Sequence, residues 1–172
     1  MPVGRETSQP IGHYQFCQEQ PAECNVRSYR TDPVALNDGG WSTLQAVNNA
    51  VNAAIQPATD LEIFGVDERW VYPATWGDCE DFVLLKRRML VEQGWPVSSL
   101  LITVVLQPNG DGHAVLTVRT DRGDLILDNL VSEIRLWTET PYTYVKRQSE
   151  RDTGGWVAIE DQRQTVVQYV GQ

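Results

Sequence analysis

The residues of this chain best suited to chemistry stand in TWGDCEDFVLL, residues 75–85, where Cys79 lies between Asp78 and Glu80 and Asp81 follows. Neighbouring carboxylates raise a thiol pKa and oppose the thiolate that a nucleophile needs. Phe82, Leu85 and Met89 fall on one face, Lys86, Arg87 and Arg88 load the later turns, and QGWP supplies a stop. This pattern predicts a helix starting at Asp78 or Cys79. Unpaired N–H groups at such a start favour an anionic sulfur and can donate to an oxyanion. Acids in its first turn and bases in its last suit the helix dipole.

A cysteine nucleophile requires a base, and the base requires an orienting group. The chain has two histidines. His13 falls in a stretch without sustained period, whereas His113 opens a predicted strand, HAVLTVR, after a glycine-rich turn. His113, Val115 and Thr117 share one face of that strand, Ala114 and Leu116 the other. TDRG then leads into DLILD, residues 124–128. A two-residue turn at Asp121 and Arg122 pairs Thr120 with Gly123 and sets Asp128 opposite Val115. His113 is then the diagonal neighbour of Asp128, roughly 7–8 Å away along the backbone. An odd-membered turn would put the two on opposite faces. Singly, Cys79 also fits a buried small residue, His113 a strand-end histidine and Asp128 a strand terminator. Together they read as a nucleophile, a general base and an orienting acid.

The rest of the chain has to position these residues. Its 172 residues fit one domain, 1–172, and 41% of them are hydrophobic, enough to build a core. A net charge of −9 argues against nucleic acid and anionic membranes as partners and suits a cation better. The longest apolar run, LLITVVL, is far short of the roughly 20 residues of a membrane helix. Residues 1–40 are expected to form an irregular arm. Ser42 can cap a helix carrying Leu44, Val47, Val51 and Ile55, ended by Pro57. Residues 58–77 read as a connection. Strands follow at 100–107, 113–119 and 124–128, with two more in YTYVKRQ and GGWVAI. Helices first and an antiparallel sheet after them give an α+β domain. Of three cysteines, Cys17 and Cys24 sit close enough to close a small loop, leaving Cys79 free. Three reduced cysteines, or a metal held by His13, Cys17 and Cys24, are the alternatives.

GDCEDFVLLKR (77–87), GHAVL (112–116) and LILDNL (125–130) together resemble the bacterial transglutaminase-like cysteine proteinases, which include the LapG-type periplasmic proteases. DERWVYP (67–73) resembles the tract upstream of the family's cysteine, and PIGHYQFCQEQPAEC (10–24) and WTETPYTYVKRQS (137–149) resemble tracts of its shorter alphaproteobacterial members. The resemblance implies a papain-like or transglutaminase-like core with Cys79 as nucleophile, His113 as base and Asp128 orienting the imidazole. It implies Ca²⁺ as cofactor, with Asp78, Glu80 and Asp81 as ligands, a role that hard carboxylate oxygens suit. With the ligands turned into the metal, Asp78 and Glu80 are expected to point away from the sulfur. Trp70 or Trp76 could offer an indole N–H to an oxyanion. The resemblance further implies a periplasmic endopeptidase acting on a surface or envelope protein, whose leader is missing from this sequence, and an inhibitory membrane receptor as partner. Transglutaminase-type acyl transfer and a non-catalytic, calcium-stabilised binding module remain the alternative functions.

Overall fold

The computed structural model describes residues 1–163 and follows the chain from an edge strand into helices and then a sheet. In order these are β1 (Val3–Thr7), α1 (Ile11–Glu19), α2 (Pro21–Cys24), α3 (Asp38–Ala54), β2 (Gln56–Pro57), α4 (Asp60–Phe64), β3 (Trp76–Gly77) and α5 (Cys79–Glu92). The second half holds β4 (Leu100–Leu106), β5 (Gly112–Thr120), β6 (Gly123–Leu127), β7 (Arg135–Leu136), β8 (Thr143–Gln148) and β9 (Trp156–Ile159). Seven strands pair antiparallel in the order β1-β9-β8-β4-β5-β6-β7, and β2 pairs parallel with β3. This is the α+β arrangement expected, with the helices packed on an antiparallel sheet. The last stretch of the expected domain, 164–172, lies outside the described residues.

The β5–β6 register is the one the candidate site depends on. Thr120 pairs with Gly123, and the ladder runs back to Leu116 opposite Leu127. The turn therefore has two residues, and Asp128 emerges on the His113 side of the hairpin. Alternation divides the core. Ala114, Leu116 and Val118 join Phe82, Val83 and Leu90 of α5 and Leu44, Val47 and Val51 of α3 in the main cluster. Val115 and Ile126 join Tyr142, Tyr144 and Ile159 in a smaller one on the opposite face. Each large apolar side chain so buried contributes about 1.5–3 kcal/mol.

The N-terminal region departs from its expected form. Residues 1–40 contain β1, α1 and α2 rather than an irregular arm. The buried face of α1 is Gly12, His13 and Phe16, which carries no aliphatic stripe for a periodicity to detect. α3 starts at Asp38, where the Asn37 side chain accepts from the Gly40 N–H; Ser42 sits inside the helix with its hydroxyl donating to the Asp38 carbonyl. α5 starts at Cys79 as expected, but its basic residues do not form a solvated last turn. Lys86 and Arg87 are buried, and Arg87 donates to the Leu100 carbonyl and to Glu23. No described helix is long and apolar enough to cross a membrane.

Candidate active site

α5 packs on β5, and the Ala114 N–H near the start of β5 reaches Cys79 at the start of α5, so Cys79 and the neighbouring His113 come to the same region from two elements. Gly77 allows the tight approach to the helix: a Cβ there would lie 2.9 Å from Asp81 Cβ, closer than real side chains tolerate. His113 Nε2 lies 2.9 Å from Asp128 Oδ1, and both side chains are buried. Asp128 is held from three further directions. The Tyr142 hydroxyl donates to Oδ2 at 2.5 Å, the Leu130 N–H to Oδ1 at 2.9 Å, and Asn52 Nδ2 to the backbone carbonyl at 2.8 Å. Burial pushes the Asp128 carboxyl up, but hydrogen bonds from His113, Tyr142 and Leu130 outweigh it and hold it below the usual carboxylate range. Tyr142, whose ring centroid lies 5.5 Å from that of His113, was not among the residues expected at the site.

Cys79 keeps a different partner. Its thiol donates to Glu80 Oε2 at 3.3 Å, and among the described residues no hydrogen bond joins it to His113. Burial raises the thiol pKa well above its ordinary value and the Glu80 charge adds to this, while the Ala114 N–H acts in the other direction. The objection raised by the flanking acids is therefore real in this geometry. The expectation that Glu80 points away from the sulfur is corrected, because its Oε2 accepts the hydrogen bond from the thiol.

The acids gather differently from their order in sequence. One carboxylate oxygen each from Asp60, Asp78 and Glu80 lies within 4.8 Å of the others. Asp60 Oδ1, Asp78 Oδ1 and Glu80 Oε1 are buried without a hydrogen-bond partner, while Asp60 Oδ2 accepts from the Arg69 N–H. Burial, with the neighbouring charges, raises the Asp78 pKa and pushes that of Glu80 up to about 10. Three carboxylates gathered this closely, each with a buried oxygen left unpartnered, fit a hard divalent cation. Asp81 is not part of this group. Its Oδ1 accepts from the Val71 N–H at 2.9 Å, and burial raises its pKa to about 8. Asp60 completes the group of three acids; no spacing could show it, since it lies on α4, across the connection from Asp78.

The remaining expected residues resolve into packing. Trp70 is buried, with its indole N–H donating to Glu68 Oε1 at 2.7 Å, and Trp76 is half exposed. The sulfurs of Cys17 and Cys24 lie at bonding distance, their Cα atoms 5.6 Å apart, and Cys79 is free. His13 stacks edge-on with Trp70 and Trp156 beside them. Its burial, with Arg87 nearby, lowers the imidazole pKa to about 4. Two sulfurs bonded to each other offer no thiolates, so this cluster is not arranged as a metal centre.

A sequence model of the bacterial transglutaminase-like cysteine proteinases matches residues 3–164. Among solved structures, calcium-bound LapG of Legionella pneumophila is 30% identical with a TM-score of 0.55, the alignment covering 62% of this chain and 64% of that one. EGTA-treated LapG of the same organism is 30% identical with a TM-score of 0.58, covering 69% and 67%. The match thus spans less than two thirds of calcium-bound LapG. No curated protein matches the chain.

Proposed function

This chain belongs to the bacterial transglutaminase-like cysteine proteinases, and on that premise we propose that it is a calcium-dependent cysteine endopeptidase using Cys79, His113 and Asp128. The observation that carries the reading is the buried His113–Asp128 pair set beside the N-terminus of the helix that begins with the free cysteine. With Nε2 engaged by Asp128, Nδ1 is the ring nitrogen left to exchange a proton with the sulfur. Cys79 attacks the scissile carbonyl as His113 takes the thiol proton; the C–N bond breaks as His113 returns that proton to the leaving amine. Water, deprotonated by the same imidazole, then adds to the thioester and releases the carboxylic acid and the thiol. Asp128 remains ionised throughout and holds the imidazole in place.

Asp60, Asp78 and Glu80 would hold Ca²⁺, a reading supported by their orphaned oxygens and by the calcium-bound and EGTA-treated forms of the LapG structures. When bound, the cation would neutralise the carboxylates that raise the Cys79 pKa. The substrate is a protein or peptide, in keeping with the family. The Cys17–Cys24 pair supports an oxidising compartment, which we take to be the periplasm. An inhibitory membrane receptor is proposed by analogy with the LapG-type members.

The test is a peptide library incubated with the calcium-loaded protein and an excess of primary amine. New amino and carboxyl termini, absent with Cys79→Ala, are expected. Amine adducts on glutamine in their place would make the chain an acyl transferase, and no change in either product would end the enzymatic reading.

A further inference from the structure

The Tyr142 hydroxyl that reaches Asp128 comes from residues 137–142, the link between β7 and β8, and Arg163 ties that link down from further along the chain. Its guanidinium donates to three of the backbone carbonyls: Nη1 to Trp137 at 2.9 Å and Thr140 at 3.3 Å, and Nη2 to Tyr142 at 2.8 Å. The opposite edge of the fork is anchored on Asp161, with Nε 2.8 Å from Oδ1 and Nη2 2.7 Å from Oδ2. That carboxylate is buried and also accepts from the Tyr144 N–H at 3.2 Å. The guanidinium carbon lies 4.6 Å from the ring centroid of Trp137 and 5.2 Å from that of Tyr144.

This set of contacts requires an arginine. Five N–H donors in one rigid plane can serve a carboxylate on one side and several carbonyls on the other, while the flat faces meet aromatic rings. A lysine is a point charge that cannot hold these positions together. What the grip fixes is Tyr142, which is caught at both ends. Its carbonyl accepts from Arg163, and its hydroxyl donates to Asp128 Oδ2 at 2.5 Å. Between the two, its ring centroid stands 5.5 Å from that of His113. The hydroxyl sits at the far end of a rigid ring, so a small tilt of the backbone at 142 is magnified there. A displacement of about 1 Å takes such a contact out of hydrogen-bond range.

We propose that Arg163 is a positioning residue for the His113–Asp128 pair: by gripping the carbonyls of Trp137, Thr140 and Tyr142 it sets the Tyr142 hydroxyl on Asp128, which in turn holds the imidazole. The proposal rests on the reading of Cys79, His113 and Asp128 as a triad. A brace that served only the fold would affect the site whether or not residue 142 carried a hydroxyl. A positioning residue acts through that hydroxyl, so its effect disappears once the hydroxyl is gone.

Arg163→Lys in the full chain keeps the charge, loses the fork and gives two readouts. Proton NMR should show a low-field Tyr142 hydroxyl resonance in the wild type, identified by its absence from Tyr142→Phe, and lost or moved upfield in Arg163→Lys. Alkylation of Cys79 by iodoacetamide in the calcium-loaded protein should slow by about threefold or more in Arg163→Lys and in Tyr142→Phe, and the double variant should be no slower than Tyr142→Phe. Asp161→Asn, which frees the fork from its anchor, should reproduce both effects and decides the matter if Arg163→Lys does not fold. A resonance missing from the wild type or unchanged in Arg163→Lys overturns the proposal. So does a further slowing in the double variant, which makes Arg163 structural. Wild-type alkylation in Arg163→Lys beside a slowed His113→Ala overturns the proposal alone. His113→Ala alkylating at the wild-type rate overturns the triad reading, and the proposal with it.

Discussion

His113 and Asp128 meet at 2.9 Å although neither belongs to a paired position of the β5–β6 ladder. The pair forms just past the last rung, where Asp128 leaves the sheet and is caught by the Leu130 N–H and the Tyr142 hydroxyl. A carboxylate that must orient an imidazole is thus fixed by groups on both sides of it. Asp128→Asn keeps the volume and loses the charge. Cys79 alkylation by iodoacetamide in the calcium-loaded variant is expected to slow by about tenfold or more, with the fold intact by circular dichroism.

Tyr142→Phe removes one donor from a buried carboxylate and should cost about 1–3 kcal/mol. The sign with pH follows from Asp128, whose folded pKa is held below the ordinary value of 3.8. A depressed carboxyl stabilises the fold above its unfolded pKa, and that stability is lost as pH falls through the folded pKa. The Tm difference between wild type and variant should therefore be full at pH 6 and shrink below about pH 4. Thermal melts across that range check it.

The proposed calcium site gives a contrast between neighbouring acids. Asp60→Asn removes a ligand charge from the cluster of Asp60, Asp78 and Glu80 and should weaken calcium binding by about tenfold or more in a calorimetric titration. Asp81→Asn should leave the titration unchanged, because Asp81 contributes no oxygen to that cluster.

Proton release should accompany that binding. Glu80 is pushed up to about 10, so at pH 7 it holds a proton that a metal ligand must give up. Calcium affinity is expected to rise with pH between 6 and 9. Titrations in buffers of different ionisation enthalpy should show proton release, and their agreement across buffers would contradict it.

How much of this the sequence discloses varies with the range of the contact. The hairpin register was readable because TDRG sits between two alternating apolar runs, and one loop length settles which face Asp128 takes. α5 was readable from the spacing of Phe82, Leu85 and Met89 and from the QGWP stop. α1 was not, since its buried face is built from Gly12, His13 and Phe16. The placing of Asp60 and Tyr142 beside the site residues, and the burial of Lys86, were missed for a common reason: each arises from packing against another element. A lysine in a basic run reads as solvent-facing, and only the packing of α5 on α3 and β5 buries it. The direction of the Glu80 side chain toward the sulfur is a rotamer, which no spacing encodes.

The central claim is that Cys79 is a nucleophile activated by His113 once the acids beside it are neutralised. The most direct measurement is the rate of Cys79 alkylation by iodoacetamide against pH, with calcium and with EGTA, in wild type and His113→Ala. The account predicts that calcium moves the reactive thiolate to lower pH in the wild type, and that His113→Ala abolishes most of this gain. Alkylation that follows an ordinary thiol with a pKa near about 8.5 in all four conditions would contradict it.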